Sequence, residues 1–355
     1  MEEVTSIWNG FSLEEIEFEI GDREYFALLG PSGAGKTLLL ETIMGFNKLK
    51  RGRIFADDDE ISSLPPFQRG FGYVPHGGAL FPHLNVRQNI EFGLRMMKID
   101  QTSRKKKSDE AMNELSIVHL EKRSPENLSA GERQKVALAR CLVMKPRLML
   151  LDEPFSSIDA EARQSLRNLL KRLHRELETS FIHVTHDQLE AISLAESVAI
   201  MSGGRVVQKG KIDHVFSSPK SEFVARFLGY ENILIPDRFE DEGDIIRLTL
   251  NGKDLLCSKG NSSANRRIEP AGRHKIAIRP DQVMVSKNPT ACPNCMRGKI
   301  IDFSDLGPLV ELTVDVGFLL KSVVTKNAFV DNQLQKNEGT FWINVKPSSL
   351  VILNE

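Results

Sequence analysis

Cysteine is scarce: Cys141, Cys257, Cys292 and Cys295 are the four in 355 residues. So few thiols cannot form a disulfide framework, and a chain this long can bury a large core without staples. With no signal-peptide pattern at the start, a reduced cytosolic setting is expected. Cys292-Pro293-Asn294-Cys295 is a lone C-x-x-C with no second pair and no nearby histidine. It reads as a loop holding two thiols rather than half a zinc site. Long apolar runs are also missing. No stretch approaches the ~18 residues needed to span a bilayer, so any work at a membrane requires another subunit to do the spanning. Net charge is nearly absent, at −1, which argues against a nucleic-acid binder with a strongly basic surface. The run Arg104–Lys105–Lys106–Lys107 is the local exception and reads as a solvated helix face.

The first part of the chain alternates strand and helix signals. Tyr25 to Leu29 is a short apolar run ending in a glycine-rich turn, and Lys36 to Met44 reads as the helix that follows. Ile16 to Ile20 alternates apolar and acidic residues like a half-buried strand. Arg147 to Leu151, Phe181 to Val184 and Val198 to Met201 read as buried strands, and leucines at helical spacing mark a helix from Glu161 to Leu177. Strand alternating with helix predicts a parallel sheet covered on both faces. Residues from about 81 to 141 interrupt that alternation as an inserted helical subdomain. Near Pro236 the texture changes to short strands between glycine, proline and asparagine, including Ile245–Leu250, Lys275–Ile278, Leu309–Val316 and Phe341–Val345. That predicts a small all-β, OB-like domain over 236–355 after an α/β domain over 1–235. Ile278-Arg279-Pro280 followed by Val283–Val285 is echoed by Val345-Lys346-Pro347 followed by Leu350–Ile352, as though one β unit were used twice.

Gly30-Pro31-Ser32-Gly33-Ala34-Gly35-Lys36-Thr37 fits the P-loop pattern between a predicted strand and helix. Its glycines let consecutive backbone N–H groups turn inward around phosphate, and the helix adds its positive end. Lys36 can reach the β- and γ-phosphates, and the Thr37 hydroxyl can ligate Mg²⁺. The second half of such a site is Leu148–Leu151 followed by Asp152-Glu153. A buried strand ending in two carboxylates suits Asp152 to hold Mg²⁺ and Glu153 to act as general base on water.

Leu128-Ser129-Ala130-Gly131-Glu132 resembles the ABC signature, usually Leu-Ser-Gly-Gly-Gln, and the family's other motifs follow in order. Ser156-Ser157-Ile158-Asp159 is similar to the D-loop, His186 to the switch histidine, and Gly72-Tyr73-Val74-Pro75-His76 occupies the Q-loop position. The resemblance covers roughly residues 1–230. It implies a P-loop ABC ATPase in which two subunits sandwich two ATP molecules. Ser129 and Gly131 would touch the γ-phosphate held by the opposite subunit, and Asp159 would line the same interface. Phe11 or Trp8 would stand where the family places an adenine-stacking aromatic. Two departures are visible. His76 replaces the usual glutamine, which predicts a shifted pH dependence, and Ala130 replaces a commoner glycine, which predicts strain if that backbone needs positive φ.

One nucleotide domain without spans, followed by a β domain, resembles importer subunits. These work as homodimers at the cytoplasmic membrane face with integral permease subunits and an extracytoplasmic substrate-binding protein. Finer resemblance, in Gly30–Leu40, in Ala79–Gly93 and in the segment opening at Arg297-Gly298-Lys299-Ile300, points to molybdate/tungstate importers. Sulfate, iron, polyamine and sugar importers stay open as alternatives, as does an ABC ATPase that remodels nucleic-acid or protein complexes. In the molybdate group the β domain binds oxyanion, and Asn294, Thr325 and Lys326 would be the donors here. Pro293-Asn294-Cys295 and Ala328 depart from that group's pattern, so dimerisation is the other role considered for this domain. Phe81, Leu84 and Met96 are candidates either for a groove receiving the permease or for subdomain core.

Overall fold

The computed structural model describes residues 1–259, 274–334 and 339–353. Contacts divide the chain into two units, Met1–Ile212 and Asp213–Glu355.

In the first unit, β1 (Glu2–Trp8) and β2 (Phe11–Ile16) form a hairpin that, with β4 (Arg51–Arg53), makes an antiparallel sheet in the order β2-β1-β4. Between them run β3 (Tyr25–Leu29) and α1 (Lys36–Met44). β5 (Phe55–Ala56) and β6 (Asp59–Glu60) pair with each other, and β7 (Phe71–Val74) leads into the helical insert α2 (Val86–Met96), α3 (Gln101–Glu114) and α4 (Ala130–Leu142). The chain then returns through β8 (Leu148–Asp152), α5 (Ala160–Glu176), β9 (Ser180–Thr185), α6 (Gln188–Leu194), β10 (Ser197–Ser202) and β11 (Arg205–Lys211). The main sheet has the order β11-β10-β3-β9-β8-β7, parallel except for β11. β3 is buried at every position, which explains why it reads as a continuous apolar run. All its parallel strands point their C-terminal ends to one edge, where open α/β sheets bind ligands.

Local chemistry sets several element ends. Gly45, with φ 84°, stops α1, and the Phe46 N–H donates back to Glu41 O. Asn85 with Gln88, and Ser129 with Glu132, form capping boxes that start α2 and α4. Ala130 is the first helical residue of α4 and is absent from the positive-φ residues. The strain expected of alanine there does not arise. The alternation at Ile16–Ile20 does not extend β2 past Ile16 either. Its burial still alternates, but Phe18 O takes the N-terminal amine of Met1 instead of joining a ladder. Within the insert, Arg87 on α2 pairs with Asp109 of α3 (2.6 Å) and with Glu121 (2.9 Å).

The second unit begins earlier than the expected edge near Pro236, because α8 (Glu222–Phe227) and β12 (Asn232–Leu234) pack with the strand at Lys275–Ile278, and α7 (Ile212–Ser217) is tied in through Tyr230. Tyr230 donates to Phe216 O, and Lys275 pairs with Glu222. β13 (Arg238–Asp241), β14 (Ile245–Leu250) and β15 (Lys253–Ser258) form one antiparallel sheet. β16 (Lys275–Ile278) lies between β12 and the last strand, β22 (Val351–Leu353). β17 (Val283–Ser286), β21 (Phe341–Val345), β18 (Asn294–Asp305), β19 (Leu309–Asp315) and β20 (Leu319–Thr325) make the largest sheet, and α9 (Lys326–Asp331) follows β20. This is an all-β, OB-like unit around one apolar core. Cys295 is in β18 and not in a loop. The sequence echo has a structural counterpart: β16 and β17 flank one Pro-led 3₁₀ turn, β21 and β22 flank the other, and the arms pair crosswise, β16 with β22 and β17 with β21.

Candidate nucleotide site

The P-loop follows β3, whose Leu29 is paired with Thr185 on one side and Ile200 on the other. Gly30 passes so close to β10 that an added Cβ would lie 2.4 Å from Met201 O. Gly35 turns the chain into α1 at φ 97°, and no side chain caps that helix start, nor does any acid occupy its first turn. The helix start is thus left to an anion. Lys36 is buried, and its Nζ donates to Gly30 O (2.8 Å) and Pro31 O (2.9 Å) across the loop. Burial lowers the Lys36 pKa, and the Glu153 and Asp152 carboxylates counteract that.

Asp152 closes β8 and is buried. Thr37 Oγ1 donates to its Oδ1 at 3.1 Å, and the Tyr73 hydroxyl from β7 lies 3.4 Å from Oδ2. Burial raises the Asp152 pKa, with Glu153 adding to it and the Thr37 hydrogen bond opposing it. A hydroxyl and a carboxylate side by side are hard oxygen donors, and they fit Mg²⁺. Glu153 leaves the sheet at φ 44° with its N–H bonded to Val184 O (3.0 Å). Such a conformation costs a residue with a side chain about 1 kcal/mol. His186, just beyond β9, presents Nδ1 3.3 Å from Glu153 Oε1.

His76, beyond β7, faces the D-loop. Its Nδ1 is 3.1 Å from Ser156 Oγ, and that hydroxyl donates to Glu153 O at 2.9 Å. With its one proton on Glu153 O, Ser156 Oγ accepts from His76 Nδ1–H, which leaves Nε2 as an acceptor. Gln134 of α4 lines a cavity of about 100 Å³ together with Gly77, Glu153 and Ser156. The Gln134 side chain is buried, and its Nε2 has no protein partner among the described residues. Tyr73 lies inside the Q-loop segment and Gln134 two residues beyond the signature, so neither stands out from motif matching alone.

Gly30–Thr37, Asp152, Glu153, His186 and His76 therefore share one sheet edge. Ser129 and Gly131 stand at the first turn of α4 instead. There an added Cβ on Gly131 would lie 3.2 Å from Ala162 Cβ of α5. The Ser129 hydroxyl accepts from Glu132 N–H, and its own proton is left to donate. Asp159 caps α5 through Ala162 N–H. Phe11 packs on the P-loop backbone, so a Cβ on Gly35 would meet its ring at 2.7 Å. Trp8, its cross-strand partner, is 52% exposed. Phe81 packs against Phe92 with the rings tilted (4.4 Å between ring centres) under the Arg140 guanidinium, whereas Met96 and Met97 are exposed.

In the second unit the expected oxyanion donors are engaged. The Asn294 amide spans Leu256, accepting from its N–H (2.7 Å) and donating to its O (2.8 Å). Thr325 caps α9, and Lys326 pairs with Asp305. The four cysteines are free thiols, with Cys292 Sγ directed at Val345 O. Among the described residues no His/Cys/Asp/Glu group could hold a metal through three such ligands, and no helix is long and apolar enough to cross a membrane.

A family model described as ABC transporter matches residues 13–156. The molybdate/tungstate import ATP-binding protein of Pyrococcus horikoshii is 39% identical over 96% of both chains. The one from Archaeoglobus fulgidus is 47% identical over 62% of this chain and 90% of its own length. A spermidine/putrescine import ATP-binding protein of Bacillus thuringiensis is 40% identical over 64% of this chain and 69% of its own. Among solved structures, a dimeric ATP-binding cassette in a post-hydrolysis state with ADP and Pi superposes with a TM-score of 0.55 at 26% identity. It covers 59% of this chain and 97% of that one. A Clostridium perfringens subunit that is part of an ABC transporter complex gives 0.56 at 30% identity, over 65% and 93%. A P-loop, two carboxylates and a histidine on one sheet edge, with a relative 39% identical over 96% of both chains, place this chain in the ABC transporter family as an ATP-hydrolysing, ATP-binding protein.

Proposed function

We propose that the chain drives uptake of molybdate or tungstate as the ATPase subunit of an importer. The observation that carries this reading is the reach of the similarity. Identity of 39% to the P. horikoshii molybdate/tungstate protein runs over 96% of both chains and so takes in the β unit, whereas the polyamine relative matches 64% of this chain.

In this reading the backbone of Gly30–Gly35 and the Lys36 ammonium cradle the ATP phosphates. Thr37 and Asp152 hold Mg²⁺, which when bound offsets charge on the β- and γ-phosphate oxygens. Glu153 takes a proton from the attacking water, and His186, 3.3 Å from it, orients that water and the γ-phosphate. His76 offers Nε2 to the same water. Trp8, the exposed member of the Trp8–Phe11 pair, stacks on adenine. A second copy supplies Ser129 and Gly131 across the nucleotide, with Asp159 at the same interface, and the homodimer closes on ATP and loosens after hydrolysis. Integral permease subunits do the spanning, an extracytoplasmic binding protein delivers cargo, and this subunit sits peripherally on the cytoplasmic membrane face. The exposed Met96 and Met97 suit a permease contact, while the half-buried Phe81 is engaged by Phe92 and Arg140. With Asn294, Thr325 and Lys326 engaged within the chain, the β unit serves dimerisation rather than oxyanion sensing at those residues. The net charge of −1 gives no support to a nucleic-acid partner.

Uptake of labelled molybdate and tungstate by cells lacking the gene, complemented with wild type or Glu153→Gln, tests the reading. Restoration by wild type alone is expected. Restored spermidine uptake with no effect on oxyanion uptake would refute it.

A further inference from the structure

Behind the Glu153–His186 pair lies a buried polar chain that the hydrolytic reading does not use. Alternation along β9 puts His183 and Thr185 on one face and Val184 on the other. His183 and Tyr25 are fully buried, and Thr185 and Glu190 nearly so. The Tyr25 hydroxyl lies 3.1 Å from His183 Nδ1. When that hydroxyl donates, the imidazole proton is on Nε2, which is 3.6 Å from Glu190 Oε2 and has no hydrogen-bond partner among the described residues. The Thr185 hydroxyl donates to the same carboxylate oxygen and accepts from the Asp187 N–H at 3.0 Å. Asp187 Oδ1 in turn accepts from the N–H groups of Leu189 and Glu190.

His186 is the middle residue of the turn that these bonds close. Burial opposes the Glu190 charge, but His183, Thr185 and Arg163 of α5 outweigh it, so the carboxyl is held below its ordinary pKa. The same imidazole packs on Phe155, two residues beyond Glu153, with ring centres 5.3 Å apart. One buried carboxylate thus anchors the segment bearing the histidine and, through His183, abuts the segment that follows the general base. A buried ionised group is costly unless paired, and apolar packing would hold two turns together at least as well. What a charged anchor adds is direction, because it fixes where Thr185 Oγ1 points and hence the angle of the turn.

We propose that Glu190 is a positioning residue for ATP hydrolysis, acting through the Thr185 hydroxyl to hold His186 over Glu153. This rests on the assignment of His186 to hydrolysis. Among the described residues the Thr185 hydroxyl bonds to Glu190 and Asp187, not to the P-loop or the Thr37–Asp152 pair, so loss of the Thr185 hydroxyl or the Glu190 carboxylate should act on kcat and spare ATP binding.

The test is steady-state hydrolysis by the full chain, comparing Thr185→Val, Thr185→Ser, Glu190→Gln and His186→Ala with wild type. Thr185→Val and Glu190→Gln should lower kcat at least tenfold with KM for ATP within twofold. Thr185→Ser, which keeps the hydroxyl, should come within twofold of wild type. Normal kcat in Thr185→Val refutes the proposal, as does a loss that Thr185→Ser shares. So does a rise in KM that parallels the fall in kcat. If Glu190→Gln does not fold, the two Thr185 variants decide alone. His186→Ala separates the failures. Should it abolish turnover while Thr185→Val is normal, only this proposal falls; should it turn over normally, the role of His186 falls and the proposal with it.

Discussion

Gly30→Ala adds one methyl group where the P-loop leaves β3, and the structure fixes what that group meets. Its Cβ would stand 2.4 Å from Met201 O, 3.3 Å from the same carbonyl carbon and 3.2 Å from Ala34 Cβ. Met201 O belongs to the backbone of β10, which is paired with β3 on one side and β11 on the other, so it cannot give way. Ordinary Cβ contacts begin near 3.4 Å, so the loop itself must move by roughly 1 Å. Gly30 O also receives the Lys36 ammonium, so the lysine moves with it. Overpacking of this kind costs about 1–3 kcal/mol, a fall in Tm of roughly 2–12 °C for a unit of this size. A displacement near 1 Å in a phosphate cradle should cost on the order of 10²-fold in turnover. Gly33→Ala is the control: nothing lies within 4 Å of its Cβ, but φ is 79°. It carries only the conformational penalty of about 1 kcal/mol, a Tm loss of a few degrees. Thermal unfolding with and without ATP, together with steady-state hydrolysis, measures both effects. Wild-type ATP affinity and turnover in Gly30→Ala would refute the packing argument. Equal damage from Gly33→Ala would assign it to backbone conformation instead.

Glu153→Gln should retain ATP binding, lose 10²- to 10⁴-fold in turnover as expected for a general base, and accumulate as an ATP-bound dimer in size-exclusion chromatography. His76→Gln removes the ring that faces Ser156 Oγ at 3.1 Å and should change kcat with KM for ATP within twofold; an unchanged kcat would sink the role given to His76. Asp152→Asn addresses a carboxyl whose pKa burial raises. A raised carboxyl pKa means the folded state holds its proton more tightly than the unfolded chain does. The ionised group therefore costs stability once pH exceeds the unfolded value. The nucleotide-free variant should melt a few degrees higher at neutral pH, with the gap closing in acid, and should lose the stabilisation by ATP with Mg²⁺.

What could be read in the sequence was local. The P-loop lies within eight residues whose own backbone makes the phosphate cradle, so its pattern and function coincide. β3 and α1 have the bounds expected because an apolar run, a glycine turn and helical spacing follow each other without a gap. What stayed hidden depended on partners brought in from elsewhere. Tyr73 reaches Asp152 because β7 lies beside β8, and Tyr25 reaches His183 because β3 lies beside β9. Strand order is a property of packing, since no residue in one strand encodes its neighbour in the sheet. Nor could composition tell that Phe11 would be packed and Trp8 left exposed across one hairpin, or that the Asn294 amide would be spent on Leu256. The edge between units moved for the same reason, because residues 213–235 carry no β texture of their own before Asn232 and join the second unit through tertiary contacts. The sequence alone therefore named the candidate groups for chemistry on phosphate, because each stands in a short local motif. The tertiary structure decided which side chains stand behind them, because burial and hydrogen-bond partners exist only once the sheet has formed.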